Sequence, residues 1–223
     1  MALLLAPVAL IPLASTPASA LSIVSYTSQA SYEAALIPGS FSTDNFNDLT
    51  DGFKASPPGI NRTAGSYSYN ISAPVGLYVD SPDNPISLNK AIQAAQQKTP
   101  LLISFTGVSP TAVGGRIFVS DDTLLPLSGI LNVKINDTFS QNYSTTDLAS
   151  NYLGWTSADG TRITSIAFTS TADATYAAVD NFTPGQAVPG PLPVLGALVA
   201  FRYSRKLRKR LAASTLVSDS TSA

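Results

Sequence analysis

Between residues 21 and 187 the chain alternates short runs of β-branched and aromatic residues with clusters of Ser, Thr, Gly, Asn and Pro. Runs of that length, bounded by turn residues, are the pattern of strands with one face in a core. Residues 22–27, 65–72, 76–79, 101–108, 115–120, 129–135, 161–169 and 175–182 qualify. Ile103, Phe105 and Val108 nearly share one side of their run, whereas Ile163, Ile166 and Phe168 require a bend or bulge between them. Two segments read as helical: residues 28–36, worth one or two turns, and LNKAIQAAQQ at 88–97, the clearest helix former in the chain. The pattern contains no internal repeat and no second domain. It predicts an all-β fold, a sandwich of two sheets with one or two short helices.

Both ends break this pattern. Residues 1–13 (MALLLAPVALIPL) are almost wholly apolar and lead through small residues to Ala18-Ser19-Ala20. An apolar run closed by an A-x-A site is a signal peptide, here residues 1–20 with the cut expected after Ala20. Pro7, Pro12 and Pro17 argue against a buried helix instead. No basic stretch precedes the run, and the expected natural start therefore lies upstream of Met1. At the other end, Val188, Pro189, Gly190, Pro191, Leu192 and Pro193 precede an apolar run at 194–201, and Arg202, Arg205, Lys206, Arg208, Lys209 and Arg210 follow it. As a helix, residues 192–203 would span about 18 Å, against a hydrocarbon core of about 30 Å. That is short for a permanent anchor. The basic cluster would stay in the cytoplasm by the positive-inside rule, with the body outside.

Proline motif, short span and basic cluster together resemble the PEP-CTERM sorting signal, in its cyanobacteria-like VPGPLP form. The resemblance covers residues 188–211 and implies an exosortase partner that cuts the tail. It also implies transient anchoring at the inner membrane, followed by release to the cell surface or the extracellular space. Arg202 interrupts the apolar run early, and a polar tail, residues 212–223, follows the signal. The body carries a second, broader resemblance. The stretch LLISFTGVSPTAVGGRIFVSD (residues 101–121), residues 131–136, Leu153-Gly154-Trp155-Thr156, residues 163–169 and Ala178-Val179-Asp180-Asn181-Phe182 are similar to the jelly-roll-like exoprotein domains that precede such tails. That similarity implies a fold and a location but no reaction, since sandwiches host many functions.

Charge sharpens the division. The whole chain has a formal net charge of -1, but six of its thirteen bases fall between Arg202 and Arg210. Residues 21–187 hold the other seven bases against thirteen acids, a net charge of -6. An acidic body excludes a nucleic-acid partner, which would require a basic face. Cysteine and histidine are both absent. No disulfide can hold the fold, and the usual general base, thiol nucleophile and commonest zinc ligands are missing.

Three constellations remain as candidate chemistry. Asp44, Asn45, Asn47, Asp48 and Asp51 form an oxygen-rich stretch, with Asp180 and Asn181 near the far end of the body. Such groups are hard ligands of the kind calcium prefers, although acidic turn residues at strand ends are also routine. The jelly-roll resemblance implies a structural Ca2+ held by Asp44, Asp48 and Asp180. Tyr67 and Tyr69 alternate on one face of a strand and Trp155 follows a glycine at a turn. They are candidate stacking platforms for a polysaccharide, and core packing is the alternative. Asp121-Asp122 is the only adjacent acidic pair; on a strand the two would point to opposite faces, so a solvated turn is expected. Glu33 is expected on the surface of the first helix. There is neither a spaced Glu pair nor a G-x-S-x-G elbow. The functional expectation is an exported, non-enzymatic surface or matrix protein associated with exopolysaccharide; the alternative is a hydrolase acting on such a polymer.

Overall fold

The computed structural model describes residues 21–55, 57–79, 90–146 and 151–189. Strand makes up 51% of it and helix 4%, which fixes the class as all-β. With strands numbered in chain order, the larger sheet runs β1 (Ile23–Tyr26), β12 (Leu153–Ser157), β8 (Ala112–Ser120), β14 (Tyr176–Gly185), β6 (Ile92–Ala94), β5 (Leu77–Val79) and β2 (Gly52–Lys54). A short β9 (Pro126–Leu127) also pairs with β8. The second sheet has six strands: β11 (Phe139–Thr145), β10 (Gly129–Ile135), β13 (Ser165–Ser170), β7 (Leu101–Phe105), β4 (Tyr67–Ser72) and β3 (Ile60–Ala64). Every pairing between these strands is antiparallel.

One apolar core lies between the two sheets. Ile71, Leu101, Ile103, Leu131, Val133, Ile166 and Phe168 enter it from the smaller sheet, and Leu77, Ile92, Val113, Ile117, Val119, Trp155 and Val179 from the larger. Strict alternation puts these residues inward: β4 reads buried at Tyr67, Tyr69 and Ile71 and half-buried at Ser68, Asn70 and Ser72. On the outer face of the larger sheet sits α1 (Gln29–Ala34), in the predicted place. Ser28 caps it, its hydroxyl accepting the Ser31 N–H at 3.3 Å. The helix buries Tyr32 in a second, small cluster with Leu36, Ala112 and Tyr152.

Beyond the helix the chain runs antiparallel to the last strand. Leu36 bridges Ala187, Asp44 bridges Phe182, and Ile37 N–H donates to the Gln186 carbonyl at 2.9 Å. This ties the end of the body to its beginning. Among the described residues the last such bond goes from Val188 N–H to the Ala35 carbonyl, 2.9 Å, with both Val188 and Pro189 exposed.

The structure corrects the sequence reading in several places, and the turn expected at Trp155 is the middle of strand β12. The helix expected at 88–97 is, in its described part, strand β6. Gln93 pairs with Ala178 on one side and Tyr78 on the other, and all three strand residues are buried. Two neighbouring strands that need partners outweigh the helix propensity of Ala and Gln. The bulge expected among Ile163, Ile166 and Phe168 is instead a loop-to-strand junction: Ile163 precedes β13 and its N–H donates to the Pro110 carbonyl at 2.8 Å. A register shift does occur in β14, between Asp180 and Thr183, where Asn181 has φ of 52°. Among the described residues no helix is long and apolar enough to cross a membrane. The expected signal peptide with Ala18 and Ala20, the expected sorting residues Gly190, Pro191, Leu192 and Pro193, and the basic cluster Arg202, Arg205, Lys206, Arg208, Lys209 and Arg210 lie outside the described residues.

Candidate functional site

Three of the residues singled out in the sequence meet at one place, joined by a fourth that was not. The backbone bond from Asp44 N–H to the Phe182 carbonyl, 2.8 Å, fixes Asp44 at the rim of the core. Its Oδ1 accepts the Phe46 N–H at 3.0 Å, a tight turn that leaves Phe46 with φ of 58° and its ring wholly buried. From β3, Arg62 reaches the same carboxylate with Nε to Oδ2 at 2.8 Å and Nη2 to Oδ1 at 2.5 Å. The same guanidinium holds Asp48, with Nη1 to Oδ2 at 2.8 Å and Nη2 to Oδ1 at 2.7 Å. Tyr69, opposite Arg62 in the β3–β4 register, donates its hydroxyl proton to Asp44 Oδ2 at 2.7 Å. The guanidinium carbon lies 5.7 Å from the centre of the Phe46 ring.

Burial grades across this network. The Asp44 side chain is 4% exposed, Arg62 11% and Asp48 69%. Asp44 is therefore the structural half of the pair and Asp48 the solvent-facing half. Arg62's hydrogen bonds hold the Asp48 carboxyl below the usual aspartate range against an opposing effect of burial. The Asp44 and then the Asp48 hydrogen bonds raise Arg62 still further above neutrality. Burial first, then the Asp44 charge, pushes the Tyr69 phenol well above its ordinary value. None of these three shifts moves its group toward neutral pH.

Above the network lies an open groove of about 520 Å³, lined by Asp48, Asn61, Arg62, Thr63, Ser68, Tyr69 and Thr106. A second depression, about 380 Å³, lies beside β2 and β5, lined by Asp51, Tyr78, Asp122 and Thr123 among others. Phe53 and Tyr78 are cross-strand partners there, 55% and 44% exposed.

The residues named for calcium are each bound to an arginine, and those named for stacking turn inward. Asp44 and Asp48 spend their carboxylates on Arg62, and Asp180 is held by Arg116 on the neighbouring strand at 3.0 Å. Among the described residues no group of three or more acidic side chains could hold a metal ion. A guanidinium already occupies the position where a cation would neutralise the Asp44–Asp48 pair.

The aromatic candidates face inward. Trp155 has no exposed surface; its Nε1 donates to the Tyr143 hydroxyl at 2.9 Å, and it packs edge-on against that ring at 5.5 Å. Tyr67 is buried as well, its hydroxyl donating to the Ser40 carbonyl and accepting from Gln186 Nε2. Tyr69 is 1% exposed. None of the three presents a ring face to a sugar.

Asp121 sits in the expected turn, where its Oδ1 accepts the N–H groups of Thr123 and Leu125. Asp122 is exposed beside it. Glu33 is half-buried and accepts from Gln29 Nε2 one helical turn earlier at 2.7 Å. Sequence reading missed Arg62, which had no local signal: its partners stand 18 and 14 residues before it. Compared with known proteins, the chain matches no family model, no curated protein and no solved structure.

Proposed function

We propose that this chain is an exported, non-enzymatic surface or matrix protein with a jelly-roll-like body, associated with exopolysaccharide. In this reading it crosses the inner membrane and loses its signal peptide, is held there by its tail, and is released by an exosortase acting near Pro189 to Pro193. One observation carries the sorting part. Among the described residues, backbone bonding to the segment after α1 runs as far as Val188, the first residue of the proline motif, and Pro189 is exposed. A cut beyond Pro189 would remove no residue of the core.

The jelly-roll description rests on the path of the chain. After β4 it passes to the larger sheet for β5 and β6, returns for β7, crosses for β8 and β9, and alternates in this way through β14. The non-enzymatic reading rests on the sequence, which has no histidine or cysteine and neither a spaced Glu pair nor a G-x-S-x-G elbow.

The deciding experiment follows the protein in its native host with and without the exosortase. The expected result is a shorter, released form in the wild type and a longer, membrane-bound form in the deficient strain. Identical size and location in both strains would overturn the sorting reading.

A further inference from the structure

We propose that the outer face of the six-stranded sheet, together with the Arg62–Asp48 groove at its β3 edge, is a docking surface for a neutral polysaccharide chain. The assignment rests on the exopolysaccharide association proposed above and gives it a place and a ligand class.

The face is defined by alternation. Since Ile71, Ile103, Val133 and Phe168 point into the core, the residues between them point out, and each outward residue of the six strands is half-buried or exposed. Their composition departs from the rest of the body. Thirteen acids lie between residues 21 and 187, yet the outward positions of these strands hold none. Lys134 is their single charged residue, and Ser, Thr and Asn fill most of the remainder.

The polar groups fall into rows across the strands. Asn61, Asn70, Ser104 and Ser165 are successive register partners on β3, β4, β7 and β13. At strand spacings of about 4.8 Å the row extends about 14 Å, and the full six strands about 24 Å. The row is ordered by its own bonds: Asn70 Nδ2 donates to Asn61 Oδ1 at 2.9 Å and to the Pro58 carbonyl at 3.0 Å. Farther along, Asn132 Nδ2 donates to Asn142 Oδ1 at 2.9 Å. The first row begins at the groove, which Asn61 lines together with Thr63 and Ser68.

Charge and chemistry select the occupant. An anionic polymer meets an arginine whose charge is already shared by two carboxylates and a face with one lysine. A cation meets no acid on the face, and the rim carboxylate Asp48 is bound through both oxygens. A protein partner or a lipid surface would require apolar anchors, and Ile130 is the only large hydrophobic residue there that is strongly exposed. Sugar hydroxyls both donate and accept, as amides and hydroxyls do, and docking them along the Asn61–Asn70–Ser104–Ser165 row covers no charged side chain of that row. The face has no aromatic ring to stack on, so each contact is weak. Binding therefore depends on an extended chain that engages many positions at once.

The test is affinity chromatography of the full chain on columns bearing hydroxyethyl cellulose, a neutral polymer, or alginate, an acidic one. Ser104→Arg plants a bulky charge in the middle of the row, and Thr63→Arg does so at the exposed groove edge. Val24→Arg places the same change on the larger sheet, and denaturant melts confirm that each variant is folded. If Ser104→Arg does not fold, Thr63→Arg carries the test. Retardation by the neutral polymer is expected, weakened roughly tenfold or more by either face variant and unchanged by Val24→Arg. Equal retardation of wild type and a folded face variant would overturn the site while leaving the exopolysaccharide association standing. Absence of retardation by the neutral polymer, with or without retardation by alginate, would overturn the ligand class. The broader association would fail separately, if the wild type did not co-fractionate with the matrix of its host.

Discussion

Tyr32 packs directly on Gly154: a β-carbon added to that glycine would stand 2.5 Å from Tyr32 Cδ2. Gly114, the register partner of Gly154 on β8, makes the same allowance, since its β-carbon would stand 2.9 Å from Tyr32 Cε1. The two glycines form a shallow seat on the outer face of the larger sheet. The Tyr32 hydroxyl completes the attachment by donating to the Thr183 carbonyl at 2.7 Å. A six-residue helix is held to the sheet by one ring.

Gly154→Ala is expected to destabilise the body by about 1–3 kcal/mol, the usual penalty for overpacking a filled site. Tyr32→Phe keeps the ring and removes the bond to Thr183, and should lose about 1 kcal/mol. Urea melts of both variants check this. An unchanged midpoint for Gly154→Ala would mean that α1 does not need its seat.

The Arg62 network predicts an asymmetry. Arg62→Ala leaves the nearly buried Asp44 carboxylate without its cation and should cost about 3–5 kcal/mol. Asp48→Ala removes a solvent-facing partner and should cost about 0.2–1 kcal/mol. Equal losses would show that the two carboxylates share the burden evenly. Adding calcium or a chelator should leave the melting midpoint of the wild type unchanged, because the carboxylates proposed as ligands are bound to arginines.

Two exposed aspartates set the expected acid behaviour. Arg62 lowers the Asp48 carboxyl, and the Ser157 hydroxyl followed by the Thr161 N–H lowers Asp159. A carboxyl whose folded-state pKa is depressed contributes stability above its unfolded value, about 3.9, and loses it as pH falls through the lower folded value. Stability should therefore decline on acidification below about pH 4. In an Asp48→Asn, Asp159→Asn double variant the decline should be shallower, as read from urea midpoints on either side of that value.

Much of the fold was legible because the core strands carry β-branched and aromatic residues in alternation. The edge strands β3 (INRTA) and β11 (FSQNYST) were not, since each pairs on one side only and holds mostly polar residues. Strand β6 was misread because its three residues have no periodicity of their own and take their conformation from β5 and β14. Asp44 and Asp48 stood out as an oxygen cluster, but what they bind is set by a strand that arrives later in the chain. The inward direction of Tyr67 and Tyr69 was available in principle: both share the parity of Ile71, and a fully buried isoleucine fixes which face of β4 is the core.

The last prediction concerns where the body ends. Backbone bonds run from Asp44 to Phe182, Ser42 to Pro184, Ile37 to Gln186 and Val188 to Ala35, so residues 182–188 serve as a partner for the segment after α1. Side chains reinforce this pairing. Gln186 Oε1 accepts from Arg162 Nη1 at 2.8 Å and from Thr111 Oγ1 at 3.3 Å, while Phe182 is buried against Tyr69 at 5.1 Å between ring centres. A chain truncated after Val188 keeps all these contacts and should melt in urea at the midpoint of the full chain. A chain truncated after Asn181 loses the Phe182 ring, for which burial alone is worth about 1.5–3 kcal/mol, and also leaves the Asp44 turn without its backbone acceptor. That truncation should bring the midpoint down sharply or prevent folding altogether. Equal midpoints for the two truncations would place residues 182–188 outside the cooperative folded unit.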